Sequence, residues 1–317
     1  MRTLQGSVAA VTGGCGFIGS HLIQRLRRGD VRVLAIDSLE YGRRENLDVS
    51  DPGIRIEKLR LRKGASVQLR ESLKGVDYVF HLAAEKHNQS ISTPGRILDA
   101  NVMGTLELLA AAADAGVKKV VFTSSLYAYG RMSGPPMSEQ EMPAPQTVYG
   151  ISKLSGEGLC RHFYTHRGIS ALCLRLFFVY GPRQYAGLGY KSVIVKNFDR
   201  MLNGHKPVIC GDGNQQLDYI YVDDAVSAII CAMTGDNDFD VLNVGNGVGV
   251  SINHLTSIMM EVAGVKTGCE FGPADFTRNS SRVASTNKFD ERFGAQKRVP
   301  LEDGLRRTFE WITSSRR

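Results

Sequence analysis

The chain has 317 residues, of which 43% are hydrophobic, so it can bury a large core and a mini-protein scaffold is excluded. No uncharged apolar run approaches the roughly 20 residues that cross a bilayer, and no cleavable signal pattern opens the sequence, so we expect a cytoplasmic protein without a membrane partner. The formal net charge is +7, but the basic residues are dispersed, which argues against nucleic acid as a partner. The six cysteines lack zinc-site spacing, so we expect reduced thiols and no metal site.

The first half alternates short apolar runs with amphipathic segments of helical length, which is typical of a parallel sheet with crossover helices. The predicted strands are 8–12, 31–37, 54–61, 76–83 and 120–124.

The second half is less regular. A surface excursion over 132–145 precedes a helix that begins near Val148, and a strand is predicted at 171–180. Later elements are a helix at 193–202, short strands near Val208 and Tyr219, and helices near Ile252 and Leu301. These patterns predict a Rossmann-type, doubly wound α/β fold. Its main domain is 1–176 with returns to the sheet near 217–245, and a smaller C-terminal lobe occupies mainly 177–317.

A glycine-rich turn follows the first strand. Gly13, Gly16 and Gly19 form a GxxGxxG pattern at the start of a helix, where bare backbone N–H groups can approach a pyrophosphate. The pattern alone also fits a tight strand-to-helix connection. The context after a strand favours a dinucleotide site in the first domain.

The identity of the dinucleotide depends on Asp37, which ends the second strand. Its carboxylate can accept hydrogen bonds from ribose hydroxyls and would repel a 2′-phosphate, so NAD is predicted as the cofactor. Arg43 and Arg44 follow closely and keep NADP open as the alternative.

Tyr149 and Lys153 lie four residues apart in YGISK, on one face of a helix. An ammonium group there can lower the pKa of the phenol, and Ser125 at the end of the fifth strand can hydrogen-bond the reacting oxygen. A surface Tyr/Lys pair with a capping serine is the alternative. The three residues are the predicted catalytic group, with Ser124 as a substitute for Ser125.

These motifs occur in a fixed order with HLAA at 81–84, NVMGT at 101–105, TSSLYAYG at 123–130, LRLFFVYGPRQ and GDGNQQLDYIYVDD. Together they resemble the extended short-chain dehydrogenase/reductases, the NAD-dependent epimerase/dehydratase family of nucleotide-sugar enzymes, over nearly the whole chain. The resemblance implies that Tyr149 is the general base, that Lys153 binds the nicotinamide ribose and tunes Tyr149, and that Ser125 is the catalytic serine. The positions that it implies for cofactor contacts are Gly13, Gly16, Phe17, Ile18, Gly19, Asp37, Leu82, Ala83, Asn101 and Lys153.

The resemblance also implies a nucleotide-sugar substrate and a homodimer joined by helices around 101–115 and 152–166. Dehydratases of the family place Asp-Glu directly after the catalytic serine or threonine, and decarboxylases keep the Glu, but Leu126 and Tyr127 occupy these positions here. An epimerase needs no further acid or base. Epimerisation at C4 of a UDP- or dTDP-hexose through a 4-keto intermediate is therefore the predicted reaction.

Several departures from the family concern the substrate. Phe178 stands where the family often has Asn, and Leu217 replaces an Arg that contacts the diphosphate. Another departure concerns the cofactor: RLRKG at 60–64 stands where the family commonly has an Asp near the adenine. Residues expected at the substrate, or as replacements for the lost contact, are Lys86, Tyr127, Phe178, Arg183, Arg278 and Arg282. His87 follows Lys86, and both fall where the family points side chains at the sugar.

Three other functions stay open at this point. One is an NAD(P)-dependent dehydrogenase or reductase acting on a sugar or a secondary-metabolite alcohol, and another is an atypical nucleotide-sugar dehydratase in which Tyr127 acts as an acid. A non-catalytic NAD-binding sensor has no need for the Tyr149, Lys153 and Ser125 group.

Overall fold

A computed structural model describes residues 3–130, 134–184, 192–274, 277 and 280–316. The strands are, in chain order, β1 (Val8–Thr12), β2 (Arg32–Asp37), β3 (Ile54–Lys58), β4 (Tyr78–His81), β5 (Lys119–Ser125), β6 (Ser170–Leu176), β7 (Phe178–Tyr180), β8 (Val208–Cys210), β9 (Gln216–Tyr221), β10 (Phe239–Val244), β11 (Gly249–Ser251), β12 (Glu270–Gly272) and β13 (Ser281–Arg282).

The helices are, in the same order, α1 (Phe17–Arg28), α2 (Ser66–Ser72), α3 (Gln89–Ser92), α4 (Pro94–Ile97), α5 (Gly104–Asp114), α6 (Val148–Arg167), α7 (Val193–Leu202), α8 (Val222–Thr234), α9 (Ile252–Ala263), α10 (Asn287–Phe293) and α11 (Leu301–Ser314). A π-helical stretch, Leu98–Met103, runs directly into α5. Within the described ranges, no helix is long and apolar enough to cross a membrane.

The chain forms two compact units. The first comprises Met1–Arg131, Glu139–Leu176 and Val226–Asn243, and the second comprises Met132–Ser138, Phe177–Ala225 and Val244–Arg317. The later segment that returns to the first unit is Val226–Asn243. The assignment of cofactor binding to the first unit and substrate binding to the second stays a prediction.

A seven-stranded sheet in the order β10-β6-β5-β4-β1-β2-β3 forms the centre of the first unit. The strands from β3 to β6 pair in parallel. Apolar side chains from the sheet, α2, α5 and α6 form one buried cluster. β5 and β6 are buried along their whole length, as is typical of a parallel sheet covered on both faces. This is the Rossmann-type α/β fold that the sequence predicts.

The order of the strands fixes the position of the candidate site. The chain adds β2 and β3 on one side of β1, and then β4, β5 and β6 on the other. The strand order therefore reverses at β1 and β4, and ligands of such sheets bind in the crevice at the carboxyl ends of the strands at this point.

The second unit contains a small sheet in the order β11-β9-β13, with β7 paired to β9, and a parallel pair of β12 and β8. The predicted strand at 171–180 is therefore two strands. β6 ends at Leu176 and belongs to the large sheet, whereas β7 pairs with β9. Both parts are apolar, so the sequence pattern continues across the break.

Candidate active site

The glycine turn lies at the carboxyl end of β1. Gly13 has a φ of +70°, and a Cβ there would lie 2.9 Å from the backbone nitrogen of Ala83. A Cβ on Gly19 would lie 2.2 Å from the carbonyl oxygen of Gly13. Both positions require glycine, and Gly16 begins α1 without a side-chain cap, so the helix presents backbone N–H groups at this edge.

Asp37 ends β2 beside this turn. Its carboxylate accepts hydrogen bonds from the backbone N–H groups of Cys15, at 3.0 Å, and Leu39, at 2.8 Å. Burial raises the pKa of Asp37, against the effect of these two bonds. A fixed carboxylate beside an open helix N-terminus fits the ribose and pyrophosphate of a dinucleotide.

A buried histidine that the motif analysis did not interpret positions the next part of this edge. His81, at the end of β4, lies 2.8 Å from the hydroxyl oxygens of both Thr12 and Thr105. Thr105 donates its own hydrogen to the carbonyl of Asn101, so it accepts from Nε2–H of His81, and Nδ1 then accepts from Thr12. Burial lowers the pKa of His81 to about 3.

This network also fixes the segment after β4. The hydroxyl oxygen of Thr12 accepts the backbone N–H groups of Leu82 and Ala83, each at 3.2 Å. The Asn101 side chain accepts from the Glu85 N–H at 2.7 Å and donates to the Ser152 hydroxyl at 3.0 Å. Leu82, Ala83 and Asn101 thus lie together at the switch point, and their contact with a cofactor stays a prediction.

The predicted catalytic group is assembled by β5 and the first turns of α6. The Tyr149 hydroxyl is hydrogen-bonded to Ser125. Lys153 is buried, donates to the carbonyl oxygen of Thr123 at 2.8 Å, and lies with Nζ 5.7 Å from the centre of the Tyr149 ring. Ser90 adds a contact that the sequence did not indicate, because its hydroxyl accepts the backbone N–H of Tyr149 at 3.1 Å.

The ionisation of this group in the protein alone differs from the expectation of a lowered phenol pKa. Burial raises the pKa of Tyr149 to about 12, and the hydrogen bond from Ser125 only partly opposes this effect. Burial lowers the pKa of Lys153 to about 8, against the charge of Glu157. Near pH 7 the pair is therefore an ammonium and a phenol. Ionisation of Tyr149 needs additional positive charge, such as that of an oxidised nicotinamide.

Ser124, the alternative to Ser125 as the predicted catalytic serine, is hydrogen-bonded away from Tyr149. Its hydroxyl donates to Glu157 of α6, and Glu157 is bound by Arg175 of β6 through two hydrogen bonds of 2.9 and 2.8 Å. Sequence reasoning did not identify this buried ion pair. Two signals were present, since Glu157 lies four residues after Lys153 and Arg175 interrupts an otherwise apolar strand.

Aromatic rings surround Tyr149 in the first unit. Tyr127 lies in a short 3₁₀ turn, Leu126–Ala128, and its ring stacks on His87 with centroids 4.1 Å apart. Each of these rings lies 5.9 Å from the ring of Tyr149 in an edge-on arrangement. The structure thus brings Tyr127 and His87 to Tyr149, the predicted catalytic tyrosine. Lys86 instead places its ammonium 4.5 Å over the ring of Tyr41.

The other predicted substrate residues lie in the second unit. Phe178 of β7 pairs with Tyr219 of β9, and their ring centroids are 5.8 Å apart. Arg282 of β13 is the cross-strand neighbour of Leu217. Arg183 is half-buried, with a φ of +64°, in the turn after β7. Arg278 lies outside the described residues.

The described residues contain no group of three or more His, Cys, Asp or Glu side chains arranged to hold a metal ion. A dinucleotide crevice beside the group of Tyr149, Lys153 and Ser125 defines a Rossmann-fold enzyme of the short-chain dehydrogenase/reductase type. The model of the NAD dependent epimerase/dehydratase family matches residues 9–245. The chain belongs to this family, and its cofactor is NAD, as the sequence predicts.

Individual relatives cover almost the whole chain. A UDP-glucose 4-epimerase from Mycolicibacterium smegmatis is 33% identical over 319 residues, which cover 98% of each protein. The UDP-N-acetylglucosamine 4-epimerase from Methanobrevibacter ruminantium, solved with UDP-N-acetylmuramic acid, has a TM-score of 0.92 and 34% identity, and the match covers 98% of this chain and 99% of that one. A dTDP-glucose 4,6-dehydratase from Streptomyces venezuelae, solved with NAD bound, has a TM-score of 0.90 and 28% identity over 98% of both chains.

Proposed function

We propose that the protein is an NAD-dependent nucleotide-sugar epimerase that inverts C4 of a UDP- or dTDP-hexose through a transient 4-keto sugar. The observation that carries the proposal is the composition of the site around Tyr149. Tyr149, Ser125 and Lys153 supply the chemistry of a reversible alcohol oxidation. The two positions after Ser125 are Leu126 and Tyr127, where dehydratases of the family carry carboxylates for elimination.

The cofactor residues are proposed from the sequence and its fit to the crevice. Gly13, Gly16, Phe17, Ile18 and Gly19 would hold the pyrophosphate at the N-terminus of α1. Asp37 would accept the adenosine ribose hydroxyls, and Lys153 would contact the nicotinamide ribose. Leu82, Ala83 and Asn101 line the same edge beside Thr12. When bound, NAD supplies the acceptor and donor for the hydride of C4.

The catalytic residues move and stabilise one proton. Tyr149, as phenolate, takes the proton of the C4 hydroxyl and returns it to the same oxygen after the keto sugar has turned. With substrate bound, Ser125 would turn its single hydroxyl hydrogen from Tyr149 to the reacting oxygen and stabilise the negative charge that develops there. Lys153 lies close enough for its ammonium to stabilise the phenolate. The stacked rings of Tyr127 and His87 give the pocket a wall at this point.

Arg282 is the strongest candidate for the diphosphate contact that Leu217 cannot make. Residues directly opposite each other on paired strands project from the same face of the sheet, so the side chain of Arg282 emerges beside that of Leu217. We propose that Arg282 supplies a charge-assisted contact to the diphosphate. Arg183, Phe178, Lys86 and Tyr127 complete the proposed substrate residues.

A proton NMR time course in deuterated water tests the reaction. The purified protein, NAD and a panel of UDP- and dTDP-hexoses are followed in parallel with a Tyr149→Phe variant. Interconversion of C4 epimers without deuterium entering the ring, abolished in Tyr149→Phe, is the expected result. Deuterium at C5 with loss of the 6-hydroxyl means dehydration, and net accumulation of reduced cofactor means a dehydrogenase. Either of these outcomes refutes the epimerase proposal.

We also propose that the protein is a cytoplasmic homodimer. Leu98 and Ile151 are 43% and 45% exposed and lie just before the two segments that the resemblance assigns to the dimer, and a second copy would cover them. Cys15, Cys160 and Cys173 are buried thiols, as expected in a reducing compartment. Sedimentation equilibrium tests the dimer, and an Ile151→Lys variant should shift it toward monomer.

A further inference from the structure

Four charged side chains form a closed ring of ion pairs in the first unit. Arg60 lies 3.2 Å from Glu40 and 3.4 Å from Glu85, and Arg96 lies 2.7 Å from Glu85 and also pairs with Glu40. Each acid therefore contacts both arginines. We call this arrangement of Glu40, Arg60, Glu85 and Arg96 the ion-pair ring.

The members of the ring come from three different strand ends. Glu40 follows β2, Arg60 follows β3, and Glu85 and Arg96 follow β4. β1 lies between β2 and β4 in the sheet, with Thr12 paired to both Ile36 and His81. Strands two positions apart are separated by about 10 Å, so contacts between the loops after β2 and β4 must span the end of β1. That end carries the glycine turn.

A second connection runs beside the ring across the same gap. The Gln89 side chain donates to the Tyr41 hydroxyl at 2.8 Å, and the Lys86 ammonium lies over the Tyr41 ring. Tyr41 follows β2, whereas Lys86 and Gln89 follow β4. The loops after β2 and β4 are thus joined by neutral, cation–π and ionic contacts.

Glu85 is the member of the ring that depends most on its ion pairs, because it is the most buried. Its side chain is only 7% exposed, whereas those of Glu40, Arg60 and Arg96 are exposed by about a third. A buried carboxylate is stable only while its cationic partners stay in place, so Glu85 holds both arginines toward the crevice. The ring carries two charges of each sign. It therefore adds no net electrostatic attraction for a diphosphate, and its effect on a ligand would come from covering the crevice.

We propose that the ion-pair ring closes over the adenosine half of NAD and slows its release. This inference rests on the proposed function, which gives the reason for retaining the cofactor. An epimerase must keep the reduced cofactor until the hydride has returned to C4 of the keto sugar, and early release of either would leave the turnover incomplete. Glu40, Arg60, Glu85 and Arg96 are, on this proposal, cofactor-retaining residues.

The test measures dissociation of NAD without any sugar. Protein loaded with radiolabelled NAD is freed of excess cofactor and chased with unlabelled NAD, and the loss of bound label is followed with time. Arg96→Gln and Glu40→Gln each break the ring and should release NAD about tenfold faster. The effects of the two changes should be less than additive in the double variant, because both changes remove the Arg96–Glu40 pair.

Arg167→Gln is the matched control. Arg167 pairs with Asp114 at 2.8 Å in the same unit, on helices away from this edge, so its loss should leave NAD release unchanged. Glu40 is about a third exposed, so Glu40→Gln carries the test if Arg96→Gln fails to fold. Release at the wild-type rate in the folded ring variants, or equal acceleration in Arg167→Gln, overturns the proposal. Loss of epimerisation with slow NAD release would instead refute the proposed function alone.

Discussion

The buried ion pair between Glu157 of α6 and Arg175 of β6 allows a test of how α6 is held on the sheet. Their side chains are 5% and 4% exposed, and two hydrogen bonds join them. Glu157→Gln preserves shape but leaves the Arg175 guanidinium without its counter-charge. Breaking a buried pair in this way costs about 3–5 kcal/mol. A change of that size corresponds to about 10 °C in Tm for a unit of this size.

Thermal unfolding followed by circular dichroism measures the effect. The double variant Glu157→Leu with Arg175→Met removes both charges and should be more stable than Glu157→Gln, because no uncompensated charge stays buried. Lys118→Met, which removes an exposed partner of Asp77, serves as the control and should change stability by less than about 1 kcal/mol. A Glu157→Gln variant as stable as this control would refute the argument that α6 is anchored through the pair.

Three further predictions concern the site. Ser125→Ala should lower kcat by about 10²- to 10³-fold, as loss of a single oxyanion donor does, whereas Ser124→Ala should mainly lower Tm because its hydroxyl is bound to Glu157. Lys153 is protonated below its pKa of about 8, so kcat/KM should fall as the pH rises above about 8. Because Glu157 raises the pKa of Lys153, the fall should occur at a lower pH in Glu157→Gln. A kcat/KM profile that is flat to pH 10 contradicts this assignment. The imidazole of His81 should stay neutral in the Nε2–H form down to about pH 4 in heteronuclear NMR spectra, since burial lowers its pKa to about 3; protonation near pH 6 would show that the network is open.

The alternation of apolar runs and amphipathic segments was sufficient to predict the large sheet. β1 was predicted at its observed limits, and the predicted starts of α6 and α7 agree with the structure. The pattern failed at Phe177. Apolar residues continue on both sides of it, and only long-range pairing to β9 reveals that a new strand has begun.

The residues of the candidate site divide in the same way. Glycines and the Tyr and Lys pair are visible in the sequence because local spacing and backbone conformation determine them. The ion-pair ring and the Ser124, Glu157 and Arg175 contacts are not visible, because they join strand ends and helices that are far apart in the chain. Arg60 illustrates the limit. It belongs to the segment 60–64 that departs from the family, but its partners Glu40 and Glu85 emerge only from the order of the strands.

The composition of the site and the proposed closure of the crevice are compatible with the same reaction. A reaction that returns both the proton and the hydride to the atoms they left needs one proton carrier, and Tyr149 is the proposed carrier beside Ser125 and Lys153. The same reaction gains nothing from rapid exchange of the cofactor, whereas a net dehydrogenase must release reduced cofactor in every cycle. The rate of NAD release is therefore the physical quantity that separates the two classes. Slow release of NAD that depends on Glu40 and Arg96 would explain how a site with an ordinary alcohol-oxidising group can catalyse an isomerisation.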